Sequence, residues 1–242
     1  MVYIFMAQGF EAIEFTTPLD MLIRAGIPVK TVSITGELLV KSSQNIPIMA
    51  NTLFEELTFD DAEMLILPGG QPGATNLANH KGLELLLRQF MAANKPVAAI
   101  CAAPMVLGGH GLIEGRRVTT YPGCESGLGN AICTGALVEK DGNLITGKGP
   151  AAAVEFANAI IDKRLSVREV EKEIKKMQSN KGDKKSSKKN EIDPQLIAVY
   201  SDLEENLKES IGTKVSIIPR DNNKGKIEIE YYSSDELERI ID

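Results

Sequence analysis

The sequence predicts an α/β fold built on a parallel sheet, followed by a much smaller αββα unit. Two observations carry this. Over about the first 163 of 242 residues, short apolar strands alternate with amphipathic helices, the pattern of a parallel sheet covered on both faces. After that the character of the chain changes, and charge marks the change. The net charge of −6 divides into −6 over 1–162, +7 over 163–190 and −7 over 191–242.

Taken in order, VYIFM (2–6) is a short apolar strand. The segment 11–26 has helical spacing at Ile13, Leu19, Met21 and Leu22, but Pro18 interrupts it, so a kinked or broken helix is expected. VKTVSI (29–34) is a β-branched strand, and 37–50 reads as a hairpin. EMLILPGG (63–70) is a buried strand ending in a glycine turn. A helix over 82–95 leads through Pro96 into the strand PVAAIC. RVTTY (117–121) is a strand, and 135–147 is a hairpin turned at Asp141-Gly142. The segment 150–163 is a helix with proline in its first turn. Next comes a capped helix over 166–178 with Ser166 as N-cap, then a Lys/Ser/Gly-rich linker with no apolar period. The helix 194–212 carries an apolar stripe and Gly212 as its C-cap. Two strands and a closing helix complete the chain.

Composition narrows the function classes. With 5% aromatics and no Trp, stacking on single-stranded nucleic acid is not the main activity. No apolar run is long enough to span a membrane, and the N-terminus lacks a basic leader, so a cytoplasmic protein is expected. Three cysteines without a CxxC pair, and only two histidines, argue against a disulfide scaffold or a metal site.

One segment carries chemistry. Cys101 sits where a buried strand meets the small residues Ala102 and Ala103, which are expected to begin a helix. This is the context of a nucleophile elbow. A helix N-terminus there would lower the thiol pKa, and the following N–H would hold an oxyanion. The turn Pro68-Gly69-Gly70 at the end of the neighbouring strand offers further backbone donors. The alternative is that Cys101 is one more small buried hydrophobe.

GFEAIEFTTPLDMLIRAG, LILPGG, AAICAAP, VTTYPG and KGPAAAVEFA, in this order, resemble the ThiJ/PfpI family over residues 2–162. The resemblance implies a flavodoxin-like three-layer sandwich, often a homodimer, with Cys101 as the reactive thiol and Glu14 as the carboxyl group reaching it. It implies Gly70 and Ala102 as backbone donors, with Gly69 and Tyr121 beside the substrate. It further implies a cofactor-independent glyoxalase or deglycase acting on small reactive carbonyls such as methylglyoxal, or a redox-sensing chaperone. Several family members have His where this chain has Tyr121, and the protease branch has His where it has Ala102. Neither His80, expected to be exposed at a helix start, nor His110, expected to make a structural contact, stands at those positions, so a protease reading is poor.

LSVREVEKEIKKMQ (165–178) and residues 193–242, especially GTKVSI, GKIEIEYYS and DELERI, resemble the C-terminal part of ParB partition proteins. That resemblance implies a dimerisation domain, in some members with non-specific DNA contact. The resulting organisation is a ThiJ/PfpI-like domain at 1–164, a junction helix at 165–178, a basic linker at 179–193 and a dimerisation domain at 194–242. Val215, Ile217, Ile227 and Ile229 alternate along their strands and, with Leu237 on the closing helix, need a partner face. Lys214, Arg220, Lys224 and Lys226 are the candidate phosphate contacts, set against the ordinary alternative of a solvated acidic domain.

Overall fold

The computed structural model describes residues 1–164 and, beyond them, 203–205, 207–208, 212–213, 215–221, 224–229, 233 and 238. The chain divides into two compact units, Met1–Lys176 and Met177–Asp242.

In the first unit, β1 (Val2–Met6) is the wholly buried inner strand that the apolar run VYIFM predicts. It leads to α1 (Ala12–Arg24) and β2 (Val29–Ser33). The hairpin β3 (Leu39–Lys41) and β4 (Pro47–Met49) follows, then the two-residue edge strand β5 (Thr52–Leu53). Next come β6 (Met64–Leu67), α2 (Gly73–Asn79), α3 (Lys81–Ala92), β7 (Val97–Ile100) and α4 (Pro104–Gly109). β8 (Arg117–Val118) pairs with β9 (Ile132–Cys133), and β10 (Val138–Asp141) with β11 (Leu144–Gly147). Helix α5 spans 153–164, entered through a 3₁₀ turn at Pro150–Ala152.

The main sheet runs β10-β11-β7-β6-β1-β2-β5, parallel except for the antiparallel edge strand β10. Alternation within each inner strand splits the core into two layers. Tyr3, Phe5, Leu65, Leu67, Val97 and Ala99 pack with apolar residues of α2, α3 and α4. Val2, Ile4, Met6, Met64, Ile66 and Ala98 pack on the other face with Phe15 and Leu22 of α1 and Phe156 and Ile160 of α5. This is a flavodoxin-like three-layer sandwich, and its strands end at one edge, where ligands of such sheets bind.

Several local expectations are corrected. α1 is not broken at Pro18, which is buried inside a continuous helix; the missing N–H costs one hydrogen bond to the carbonyl four residues back, and burial of the apolar face outweighs it. The hairpin loop is Gly142-Asn143, one residue later than predicted, because Asp141 still pairs with Leu144. RVTTY is a strand only over Arg117–Val118. His80 is half-buried: its Nδ1 caps α3 by accepting from Leu83 N at 3.0 Å, and its ring lies 4.6 Å from Phe54. His110 makes the structural contact expected of it, with Nε2 3.1 Å from the carbonyl of Ala78.

In the second unit, β12 (Val215–Asp221) and β13 (Lys224–Ile229) form an antiparallel pair. Residues 203–205 and 207–208 are helical. Gly212, at φ +76°, donates to Lys208 O at 2.8 Å, the left-handed C-cap geometry the sequence predicts. The expected junction helix and basic linker lie outside the described residues. No helix among the described residues is long and apolar enough to cross a membrane.

A candidate thiol site at the carboxyl end of the sheet

β7 delivers Cys101 to the edge of the sheet and the chain turns sharply there. Cys101 has φ +62°, a left-handed conformation that costs a non-glycine residue about 1–2 kcal/mol. Four hydrogen bonds hold it. Cys101 N donates to Gly147 O at 2.8 Å, and Ala103 N donates to Ile100 O at 3.0 Å. The Cys101 carbonyl accepts from Thr120 Oγ1 at 2.7 Å and from Tyr121 N at 3.0 Å. Strain fixed by this many partners is characteristic of functional positions. The helix begins at Pro104 rather than at Ala102, since 101–103 form the turn itself.

Glu14 comes from the first turns of α1 and is fully buried. Its Oε2 accepts from Gly69 N at 3.0 Å, while Oε1 has no conventional hydrogen-bond partner. The carboxyl and the Cys101 thiol interact side chain to side chain, and the sulfur receives the backbone N–H groups of Gly70 and Ala102. Gly69 is therefore occupied with the carboxyl, and the donors at sulfur are the other two. Glycine is required at 69: a Cβ would stand 2.6 Å from both Cys101 Cβ and Glu14 Oε2. At Gly70, φ is +88° and a Cβ would stand 2.4 Å from Glu11 N.

Burial pushes the Glu14 carboxyl up to about 7, against the lowering effect of its hydrogen bonds to Cys101 and Gly69. Burial first, then the Glu14 charge and its hydrogen bond, push the Cys101 thiol up to about 12. This reverses the expectation of a lowered thiol pKa. The N–H groups of Gly70 and Ala102 do lower it, but a buried sulfur beside a carboxylate outweighs them. The pair consequently holds one proton between about pH 7 and 12, either as thiol with carboxylate or as thiolate with carboxylic acid.

Tyr121 is 48% exposed, with its ring lying over Gly149, where a Cβ would come within 3.0 Å of Cδ2. Sequence reasoning missed Thr120 and Gly147, which secure the elbow. The hydroxyl run Thr119-Thr120 after a short strand is a visible signal for the first; nothing marks the second. Cys101, Cys124 and Cys133 are all free thiols. No group of three or more metal-ligating side chains occurs among the described residues.

In the second unit, Val215 faces Ile229 and Ile217 faces Ile227, so the four share one side of the hairpin. Val215 is buried, whereas Ile227 is 58% exposed. Lys226 is paired with Glu228 at 2.5 Å on the same strand. Leu237 and Lys214 lie outside the described residues, as do the side chains of Arg220 and Lys224.

Comparison with known proteins gives two matches of different kinds. Residues 1–163 match the model of the DJ-1/PfpI family, and residues 198–242 match that of the ParB dimerisation domain. The chain is 36% identical to protein dj-1beta of Drosophila melanogaster over 175 residues, 72% of this chain and 93% of that protein. It is 32% identical to a deglycase of Pyrococcus abyssi over 151 residues, 62% of this chain and 90% of that one. Among solved structures, a DJ-1 superfamily protein from Salmonella typhimurium superposes with a TM-score of 0.66 at 32% identity, covering 72% of this chain and 96% of its own. Oxidized Toxoplasma gondii DJ-1 gives 0.66 at 28% identity, covering 73% and 97%.

Proposed function

Because the chain belongs to the DJ-1/PfpI family, we propose that its first unit is a cofactor-independent glyoxalase or deglycase-type enzyme using Cys101 and Glu14 on small reactive carbonyls. The observation that carries the reading is the buried Glu14 carboxyl, held by Gly69 N and interacting side chain to side chain with a thiol that two backbone N–H groups also address. The named deglycase among its relatives supports the activity class.

With methylglyoxal, the thiol proton passes to the Glu14 carboxylate as sulfur adds to the aldehyde carbon, giving a hemithioacetal. The N–H groups of Gly70 and Ala102 turn from sulfur to the new oxyanion, which then takes a proton. Glu14, returned to carboxylate, removes the hydrogen from the carbon bonded to sulfur and delivers a proton to the adjacent carbon, while the hydroxyl proton on the sulfur-bearing carbon passes to the neighbouring oxygen. The result is a lactoyl thioester on Cys101. Water hydrolyses it to lactate and restores the thiol. A carboxyl with a pKa near 7 is poised for both roles.

The second unit supplies dimerisation through the shared apolar side of β12 and β13, so the working protein is a homodimer. This is supported by the ParB dimerisation match and by the half-open cluster of Val215, Ile217, Ile227 and Ile229. The test of the enzyme reading is lactate formation from methylglyoxal by the full chain; turnover no greater than that of Cys101→Ala rejects it. In that event a redox role for Cys101 is the surviving reading, favoured by the oxidized state of a close structural neighbour and checked by the mass of Cys101 after mild peroxide.

A further inference from the structure

Both N–H groups that address the Cys101 sulfur belong to residues tied into the helix that follows them. Gly70 O accepts from Ala74 N of α2 at 2.8 Å, and Ala102 O accepts from Met105 N of α4 at 3.1 Å. Each donor therefore moves with its helix. Where the two donors point depends on how α2 and α4 stand relative to each other. Ala74 and Leu77 of α2 and Val106 and Leu107 of α4 are buried in one apolar layer. Such contacts resist separation of the helices, but they are non-directional and set no register between them.

His110 sets that register. It is the C-cap of α4, and its Nε2 lies 3.1 Å from the carbonyl of Ala78 in the last turn of α2. This carbonyl is among those that a helix end leaves without an intrahelical donor. A carbonyl only accepts, so Nε2 carries a hydrogen and donates it. Among the described residues, no other hydrogen bond joins α2 to α4 or its cap. At the other ring nitrogen, Nδ1 is 3.5 Å from Glu84 Oε1 of α3, a carboxylate held in turn by Lys81 and Arg88. The imidazole is 14% exposed, so water competes little for either contact. The frame closes on itself: sulfur, Gly70, α2, Ala78, His110, α4, Ala102 and sulfur again.

We infer that His110 is a positioning residue for the thiol: by fastening the far end of α4 to that of α2, it fixes where the Gly70 and Ala102 N–H groups point. The inference rests on the Cys101 site of the proposed function and deepens it. His110 acts through the two helices and transfers no proton. The N–H groups it aims favour the thiolate before reaction and hold the oxyanion during it, so loss of the contact weakens both.

The experiment compares His110→Asn with His110→Gln in the full chain. A glutamine amide reaches the place of Nε2 and still donates to Ala78 O, whereas an asparagine amide reaches only the place of Nδ1. In His110→Asn, kcat with methylglyoxal should fall roughly tenfold or more with KM little changed. Alkylation of Cys101 by iodoacetamide, read by mass at that residue, should slow roughly threefold or more as the thiolate loses its donors. His110→Gln should restore both. Should His110→Asn fold poorly, His110→Met fills the space without a donor and should behave as the asparagine variant does. Alkylation that is unchanged or faster without the donor, or that glutamine does not restore, overturns the inference; faster alkylation is the mark of a site merely loosened. An unchanged kcat in a protein that turns methylglyoxal over also overturns it. If the wild type is no faster than Cys101→Ala, the enzyme reading falls, and the alkylation rates still decide the role of His110.

Discussion

Glu14 should make the first unit less stable as pH rises from acid to neutral, and the substitution that abolishes its chemistry should remove this effect. The carboxyl is fully buried, and its pKa rises from an ordinary 4.5 to about 7. Between those values the folded chain holds a proton that the unfolded chain has released, so stability falls with rising pH. The favourable contribution is complete below about pH 4.5 and is lost as pH passes 7. At about 1.4 kcal/mol per unit, the loss is about 3 kcal/mol. Glu14→Gln keeps an acceptor for Gly69 N but cannot ionise. The assay is urea unfolding of wild type and Glu14→Gln across pH 4.5 to 8, read as the difference between the two so that other titrating groups cancel. Wild type should lose about 3 kcal/mol relative to the variant over this range. A difference that stays level with pH would refute the assignment of a buried, proton-retaining carboxyl.

Further predictions concern the same cradle. The pH profile of kcat/KM should have a rising limb near 7, where the Glu14–Cys101 pair gives up its first proton; a flat profile from pH 6 to 8 counts against the one-proton working state. Gly69→Ala forces a Cβ to 2.6 Å from both Cys101 Cβ and Glu14 Oε2, so activity should fall at least a hundredfold with a stability cost of about 1–3 kcal/mol in thermal melts. Cys101→Gly should be more stable than Cys101→Ala by about 1 kcal/mol, since both lack the thiol and only alanine keeps the left-handed strain. Thr120→Val removes one of the two donors to the Cys101 carbonyl; kcat should drop while KM holds, and an unchanged kcat would show that Tyr121 N alone suffices.

Much of the sandwich was legible because its strands are buried on both faces and so are nearly continuous apolar runs, as in VYIFM, MLIL and VAAI. The strand that failed, RVTTY, failed because Thr119 and Thr120 use their side chains on Ala136 O and Cys101 O in place of a ladder. α2 was invisible: Gly73–Asn79 is short and lacks an apolar period, and it is held in place by packing of Ala74 and Leu77. At the site, Cys101 stood out from its setting between an apolar strand and small residues, and Glu14 from a resemblance across five segments. The direction of the thiol pKa was not legible. It depends on how deeply the sulfur and a carboxylate 87 positions away in sequence share one dry space, and spacing along the chain carries no record of that.

The central place of β1 also bears on how the protein comes into being. This strand leaves the ribosome before its neighbours β2 and β6, so it cannot be enclosed until residue 67 has been made. The cradle needs still more chain: Glu14, Gly69 and Gly70, Cys101, Thr120 and Tyr121, and finally Gly147. Parallel pairings of such long separation form slowly. A nascent or truncated chain ending before Gly147 therefore lacks the carbonyl that accepts from Cys101 N, and the cradle is complete only at the last step of sheet assembly.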